Sequence, residues 1–231
     1  MPSLSRYSRK AIGVFKLFAI GAVFFFLSSH AVLASNQDRN IEKTILENGL
    51  TVIIEEDHSA PVVAIQMWVR VGSADEKPEE AGIAHVFEHM LFKGTSKRGP
   101  ADIAKEIESS GGYINAYTSF DNTVYHMAVA SRYFSTGLDI ISDAIQHSAF
   151  VPSELEKELA VVQEELRMGK DSPDRQLYKT IFATAYEAHP YKRPVIGYKE
   201  TVDGLTRDYI IDFFRRWYIP GNMTLVVVGD V

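Results

Sequence analysis

His85-Val86-Phe87-Glu88-His89-Met90-Leu91-Phe92, with Gly82-Ile83-Ala84 before it and Lys93-Gly94-Thr95 after it, is the stretch on which the reading of this chain turns. At about 100° per residue, His85 and His89 lie about 40° apart around a helix and one turn apart along it. Two imidazoles so placed form a pincer for a divalent metal, and Glu88 stands beside them, within reach of a water held there. Ile83, Val86, Phe87 and Met90 occupy the opposite arc, and Leu91 and Phe92 fill most of the rest, the pattern of a buried helix. Three polar groups on such a helix each cost kilocalories unless satisfied, and a zinc ion would satisfy them. The plainer alternative is two core histidines held by hydrogen bonds, and a third ligand decides between the two.

Metal chemistry needs at least one more protein ligand, with a position left open for water. Glu164 and Glu165 are adjacent candidates on a helix predicted to open at a Ser153/Glu156 capping box and to run to Met168, before Gly169. Leu155, Leu159, Val162 and Leu166 form its apolar face. Glu164 projects about 180° from Leu155, into solvent, whereas Glu165 projects at about 280°, on the shoulder of the buried face. Glu158, at about 300° and two turns earlier, points along the same line. Glu165 is therefore the better ligand, and Glu158 a supporting or alternate carboxylate. A solvated acidic face is the competing explanation for both.

The chain is 46% hydrophobic and 23% charged, a balance with ample material for a core in 231 residues. Arg6, Arg9, Lys10 and Lys16 precede the apolar run Leu17–Leu27, and Ala31-Val32-Leu33-Ala34 supplies small residues for cleavage. Residues 1–34 read as a secretory signal peptide cut after Ala34. The run is shorter than the roughly 20 residues that span a bilayer, so no stable membrane anchor is expected after cleavage. Without the leader, the 24 basic and 30 acidic residues become 20 and 30, a net charge of about −10. Such a body argues against nucleic acid and anionic membrane surfaces as partners. Without cysteine there are no disulfides, no thiolate catalysis and no cysteine metal site. Export without cysteine fits a bacterial periplasm.

After a polar lead-in at 35–42, Thr44–Glu47 and Thr51–Glu55 read as strands around Asn48-Gly49. Pro61–Val71 is a valine-rich strand. The motif helix is expected over Glu79–Phe92, with Gly94 ending it, and a second helix from Pro100 to Gly111-Gly112. Tyr113–Thr118 and Thr123–Ala130 are paired strands. A helix from Arg132 to His147, the Glu165 helix, a helix capped by Ser172-Pro173 and one over Thr206–Tyr218 lead to a strand at Met223–Val228. This order predicts an α+β fold, helices packed on one face of a mainly antiparallel sheet.

His85-Val86-Phe87-Glu88-His89 followed by Met90-Leu91-Phe92-Lys93-Gly94-Thr95 resembles the inverted zincins, in which the order of the usual zinc motif is reversed. More narrowly it resembles the pitrilysin/insulinase group and its mitochondrial-processing-peptidase branch. Asn48-Gly49-Leu50-Thr51-Val52, Gly72-Ser73 with Glu76, Gly111-Gly112-Tyr113-Ile114-Asn115-Ala116-Tyr117-Thr118, Val161-Val162-Gln163-Glu164-Glu165-Leu166-Arg167 and Asn222–Asp230 are similar to further segments of that family. The resemblance implies zinc on His85, His89 and Glu165, Glu88 as general base and Glu158 in support. It implies that Asn115 and Ala116 hold an extended peptide substrate by strand addition. It also implies a zinc endopeptidase made of two similar halves, closing as a clamshell, whose second half supplies Arg and Tyr groups near the reacting carbonyl. Residues 43–231 correspond to the first half. A second half-domain or homologous subunit is then the implied partner, and a noncatalytic subunit or an inert half-enzyme are the alternatives to an endopeptidase acting on short or unfolded exported peptides.

Overall fold

The computed structural model describes residues 41–231; the leader assigned to residues 1–34 lies outside them. Six strands form one sheet: β1 (Ile41–Ile45), β2 (Thr51–Glu56), β3 (Val62–Val69), β4 (Tyr113–Thr118), β5 (Thr123–Ala130) and β6 (Met223–Gly229), in the order β1-β2-β6-β3-β5-β4. Only β2 and β6 run parallel; the other neighbours are antiparallel. The expected α+β class and mainly antiparallel sheet are what the chain forms. Along β3, Val63, Ile65, Met67 and Val69 are buried while Ala64, Gln66 and Trp68 are half-exposed, so one sheet face carries the core.

The helices are α1 (Ile83–Leu91), α2 (Asp102–Ser109), α3 (Phe134–His147), α4 (Pro152–Lys170), α5 (Pro173–Ala185), α6 (Lys199–Asp203) and α7 (Arg207–Trp217). None of them is long and apolar enough to cross a membrane. α1 is buried nearly all round, with Ile83, Ala84, Val86, Phe87 and Leu91 at 0% exposure. Its Phe87 ring sits 4.2 Å from Tyr218 and 5.3 Å from Phe150, ring centre to ring centre, which anchors α1 against α7 and its flanks.

Four local expectations need correction. The first strand begins at Ile41 and ends at Ile45, because Leu46 accepts from the Gly49 N–H and draws Glu47 into the turn. The motif helix starts at Ile83 rather than Glu79: Gly82 has φ +100°, outside helical space, and only a short 3₁₀ turn, Pro78–Glu80, precedes it. A Cβ at Gly82 would lie 2.8 Å from the Ile196 carbonyl oxygen, so glycine is demanded by space as well as by φ. The Ser153/Glu156 capping box does not form. Val151 is the N-cap without a side-chain cap, and Pro152, whose missing N–H costs nothing there, takes the first helical position. That helix also runs through Gly169 to Lys170, its end satisfied when Gln176 donates to the Gly169 carbonyl at 2.8 Å.

Candidate metal centre

The N-terminus of α1 is fixed by a buried carboxylate. Glu76 accepts from the Gly82 N–H at 3.0 Å and from the Ala84 N–H at 2.9 Å, meeting two of the donors that a helix start leaves open. Glu80 accepts from Arg216 of α7 through both oxygens, at 2.9 and 3.0 Å, which ties the approach to the motif onto the last helix. α1 thus enters the core at a set height and presents His85, Glu88 and His89 away from Phe87.

α4 packs across that polar side. His85, His89 and Glu165 each offer a ligand atom, and the three atoms lie within 4.8 Å of one another; among the described residues no other His, Asp or Glu trio meets this test. Nε2 of His85 is 3.7 Å from Oε2 of Glu165. Burial, with His89 adding to it, pushes the His85 imidazole down to about 4, so at neutral pH the ring is uncharged and the contact is no ion pair. Nδ1 of His85 is buried without a hydrogen-bond partner among the described residues, which leaves Nε2 as the ring's working atom. Ligands about 2.0–2.1 Å from a tetrahedral zinc stand roughly 3.4 Å apart, so two imidazole nitrogens and a carboxylate oxygen at this spacing fit the ion.

Glu158, almost wholly buried, accepts from Nδ1 of His89 at 2.9 Å and from Lys93 at 2.7 Å. Burial works against its charge, but the hydrogen bonds from Lys93 and His89 outweigh it and hold the carboxyl below the usual Glu range. An ionised carboxylate only accepts, so Nδ1 of His89 carries the hydrogen and Nε2 keeps its lone pair. Burial lifts the Glu88 carboxyl above its ordinary value, while the Thr118 hydroxyl, donating at 2.5 Å, and nearby His89 pull the other way. Glu164, the neighbour set aside on helical geometry, is exposed and paired with Arg167.

β4 is an edge strand, bound to β5 on one side only. Its Thr118 touches Glu88, and Ala116 lies two residues, about 7 Å, back along the strand on the same face. Asn115 is exposed, and its Oδ1 accepts the Ala116 N–H at 2.8 Å. Asn115 and Ala116 therefore flank the cluster without entering it. The other histidines are elsewhere: His58 pairs with Asp230 at 2.6 Å and His147 with Asp143 at 3.2 Å.

Thr118, Lys93 and Glu76 enter the sequence patterns only as parts of quoted segments, with no role at the site expected for them. Lys93 follows His89 by four residues and so shares its face, a signal that was available. Alternation along β4 puts Thr118 on the inner face with Ala116, but nothing local says which helix that face meets.

Fold and site together define a class: an α+β domain in which an i, i+4 histidine pair and a carboxylate from a second helix converge on one point. The family model for insulinase, peptidase family M16, matches residues 51–199, and that for the peptidase M16 inactive domain matches residues 204–231. The chain belongs to the insulinase (M16) family. An uncharacterized zinc protease of Rickettsia felis is 38% identical over 192 residues, 83% of this chain and 46% of that protein. A probable mitochondrial-processing peptidase subunit beta of Arabidopsis thaliana is 31% identical over 210 residues, 89% of this chain and 40% of that one. The crystal structure of a protease from Helicobacter pylori superposes with a TM-score of 0.80 at 33% identity, covering 84% of this chain and 47% of the other. The chain spans about half the length of the curated relatives it matches.

Proposed function

We propose that this chain is the zinc-binding half of an endopeptidase that hydrolyses peptide bonds in short or unfolded exported peptides. His85, His89 and Glu165 hold the ion. When bound, zinc supplies a Lewis acid that polarises the peptide carbonyl and activates water. Glu88 takes the proton of the attacking water and passes it to the leaving amine nitrogen, a task suited to a carboxyl lifted toward neutrality by burial. Glu158 keeps His89 in the tautomer that leaves Nε2 free. Asn115 and Ala116 take the peptide as an added strand on the open edge of β4, with the Ala116 N–H exchanged from Asn115 to the substrate. Convergence of the three ligand atoms from α1 and α4, with Glu88 one residue before His89, carries this reading.

The share of the relatives that this chain covers supports a second half-domain, on the same or another polypeptide, closing over the peptide and meeting the developing charge on its carbonyl oxygen. A half-enzyme that binds zinc and waits for that partner is the second reading. A noncatalytic subunit is disfavoured by the complete His85-Glu88-His89-Glu165 set. The basic and then apolar leader supports export to a bacterial periplasm.

Zinc content and cleavage of a quenched peptide, with and without a candidate second half, test the proposal. Glu88→Gln is expected to retain zinc and lose about 10²–10⁴-fold in turnover, whereas His85→Ala loses both. Cleavage by Glu88→Gln at the unmodified rate overturns the assignment of the base.

A further inference from the structure

The wall beside the metal cluster is basic in a chain whose net charge is −6. A cavity of about 540 Å³ is bounded on one side by His85, Thr118 and Glu165, so whatever fills it lies next to the reacting centre. Phe120 and Phe182 form part of its apolar lining. Phe120 stacks on Tyr191 and packs tilted against Phe182, at 4.5 and 4.9 Å between ring centres, which builds an aromatic wall.

Five cationic side chains line the cavity, against two carboxylates, Glu165 and Asp174. Two of the five are committed: Arg193 donates to the Ser73 and Glu76 carbonyls, and Lys192 to the Glu187 carbonyl. Lys170, Arg175 and Lys179 form no ion pair among the described residues, and all three are exposed; the Lys179 ammonium lies over the Tyr198 ring, 5.8 Å from its centre, a contact that leaves its charge without a carboxylate. Arg175 and Lys179 are i, i+4 neighbours on α5, so their heads share a face, and Lys170 ends α4 on the same cavity. Uncompensated like charges around a half-enclosed cavity repel one another until an anion enters, and they raise the local concentration of anionic ligands.

We propose that this cavity receives an acidic side chain of the peptide, an aspartate or glutamate close to the bond that is cut, its methylenes on the Phe120 wall and its carboxylate among Lys170, Arg175 and Lys179. The proposal rests on the hydrolytic reading of the metal centre for its substrate. Charge complementarity selects this occupant over a basic peptide, which would meet three cations that have no carboxylate partner.

Binding is measured by fluorescence anisotropy with the zinc-loaded full chain carrying Glu88→Gln, using labelled decapeptides identical except for a central Glu-Glu, Gln-Gln or Lys-Lys. The Glu peptide is expected to bind about tenfold more tightly than the Gln peptide, and the Lys peptide more weakly still. The preference shrinks as salt rises. Arg175→Gln with Lys179→Gln levels it, and Arg175→Glu with Lys179→Glu inverts it. Equal affinities for the three peptides, no binding by any of them, or a preference that survives the charge inversion overturns the proposal. Cleavage by the unmodified chain is scored separately. Hydrolysis without charge preference removes the cavity assignment alone, and charge-selective binding without hydrolysis, even when a candidate second half is added, supports that assignment while removing the peptidase reading.

Discussion

Glu158 on α4 holds Nδ1 of His89 on α1 at 2.9 Å, across 69 positions of sequence. The same carboxylate takes Lys93 at 2.7 Å, so one buried anion fixes both the tautomer and the tilt of the His89 ring, a proposed ligand. Carboxylates that hold metal-ligating histidines in this way typically contribute 10–100-fold to metal affinity. Glu158→Ala should therefore weaken zinc binding by about that factor while leaving His85 and Glu165 in place, with Glu158→Gln falling between. Chelator competition reads this directly. Unchanged affinity in the alanine variant would mean that Glu158 serves packing or Lys93 alone.

Thr118 makes a different kind of contact, to the proposed base rather than to a proposed ligand. Its hydroxyl donates to Glu88 at 2.5 Å and favours the ionised carboxylate against the burial that disfavours it. Thr118→Val removes that counterweight and keeps the shape of the side chain. The Glu88 carboxyl then rises further, and the acid limb of the kcat/KM profile moves to higher pH while zinc content stays constant. A profile that drops evenly at all pH values would assign Thr118 to substrate positioning instead.

Acid stability should depend on Asp143, a buried carboxylate of α3. Burial raises its carboxyl, but the Thr95 hydroxyl and the Arg98 guanidinium, at 2.7 and 2.8 Å, more than offset this and hold it below the ordinary Asp value. A folded value below the unfolded one, about 3.9, means that the stabilisation is present above that pH and is lost as pH falls through the folded value. Asp143→Asn should cost about 2–3 kcal/mol at pH 7, less than a fully broken buried pair because Arg98 keeps Asp139 and Glu106. The gap between variant and unmodified chain should begin to narrow only below about pH 4 and close once the pH lies below the folded value, as urea unfolding at pH 7 and across the acid range would show. A gap that persists in acid would leave packing, not charge, as the cause.

Much of this architecture was written locally. Period-two alternation with a short polar turn placed β4 and β5 to the residue, because both ends are defined by breakers at Gly112 and Ser119–Asn122. The spacing of His85 and His89 required nothing beyond helical geometry, and the same geometry separated Glu165 from Glu164. What failed was local in appearance and tertiary in cause. Ser153 and Glu156 have capping-box spacing, yet Pro152 takes the first helical position with Val151 as N-cap, so the helix starts two residues earlier. Glu79 looked helical because nothing in sequence shows that Gly82 must bend beneath the Ile196 carbonyl. Glu76, Thr118 and Lys93 join the site through contacts with α1, β4 and α4 that exist only after the sheet and helices have assembled.

The adjacent carboxylates of α4 give the sharpest discrimination, since they share charge, size and helix. Glu165 offers an oxygen to the His85–His89 cluster, while Glu164 lies about 100° away, exposed and bound by Arg167. Glu164→Ala removes only an exposed i, i+3 pair with Arg167, weakened by solvent screening, and should leave one zinc per chain. Glu165→Ala takes away the sole ligand atom that α4 gives the cluster and should abolish tight binding, because two imidazoles alone leave half of a tetrahedral shell to water. Elemental analysis of the two purified variants after dialysis against dilute chelator separates them. Equal zinc in both would move the third ligand elsewhere on α4, and Glu158 would be the carboxylate to test next.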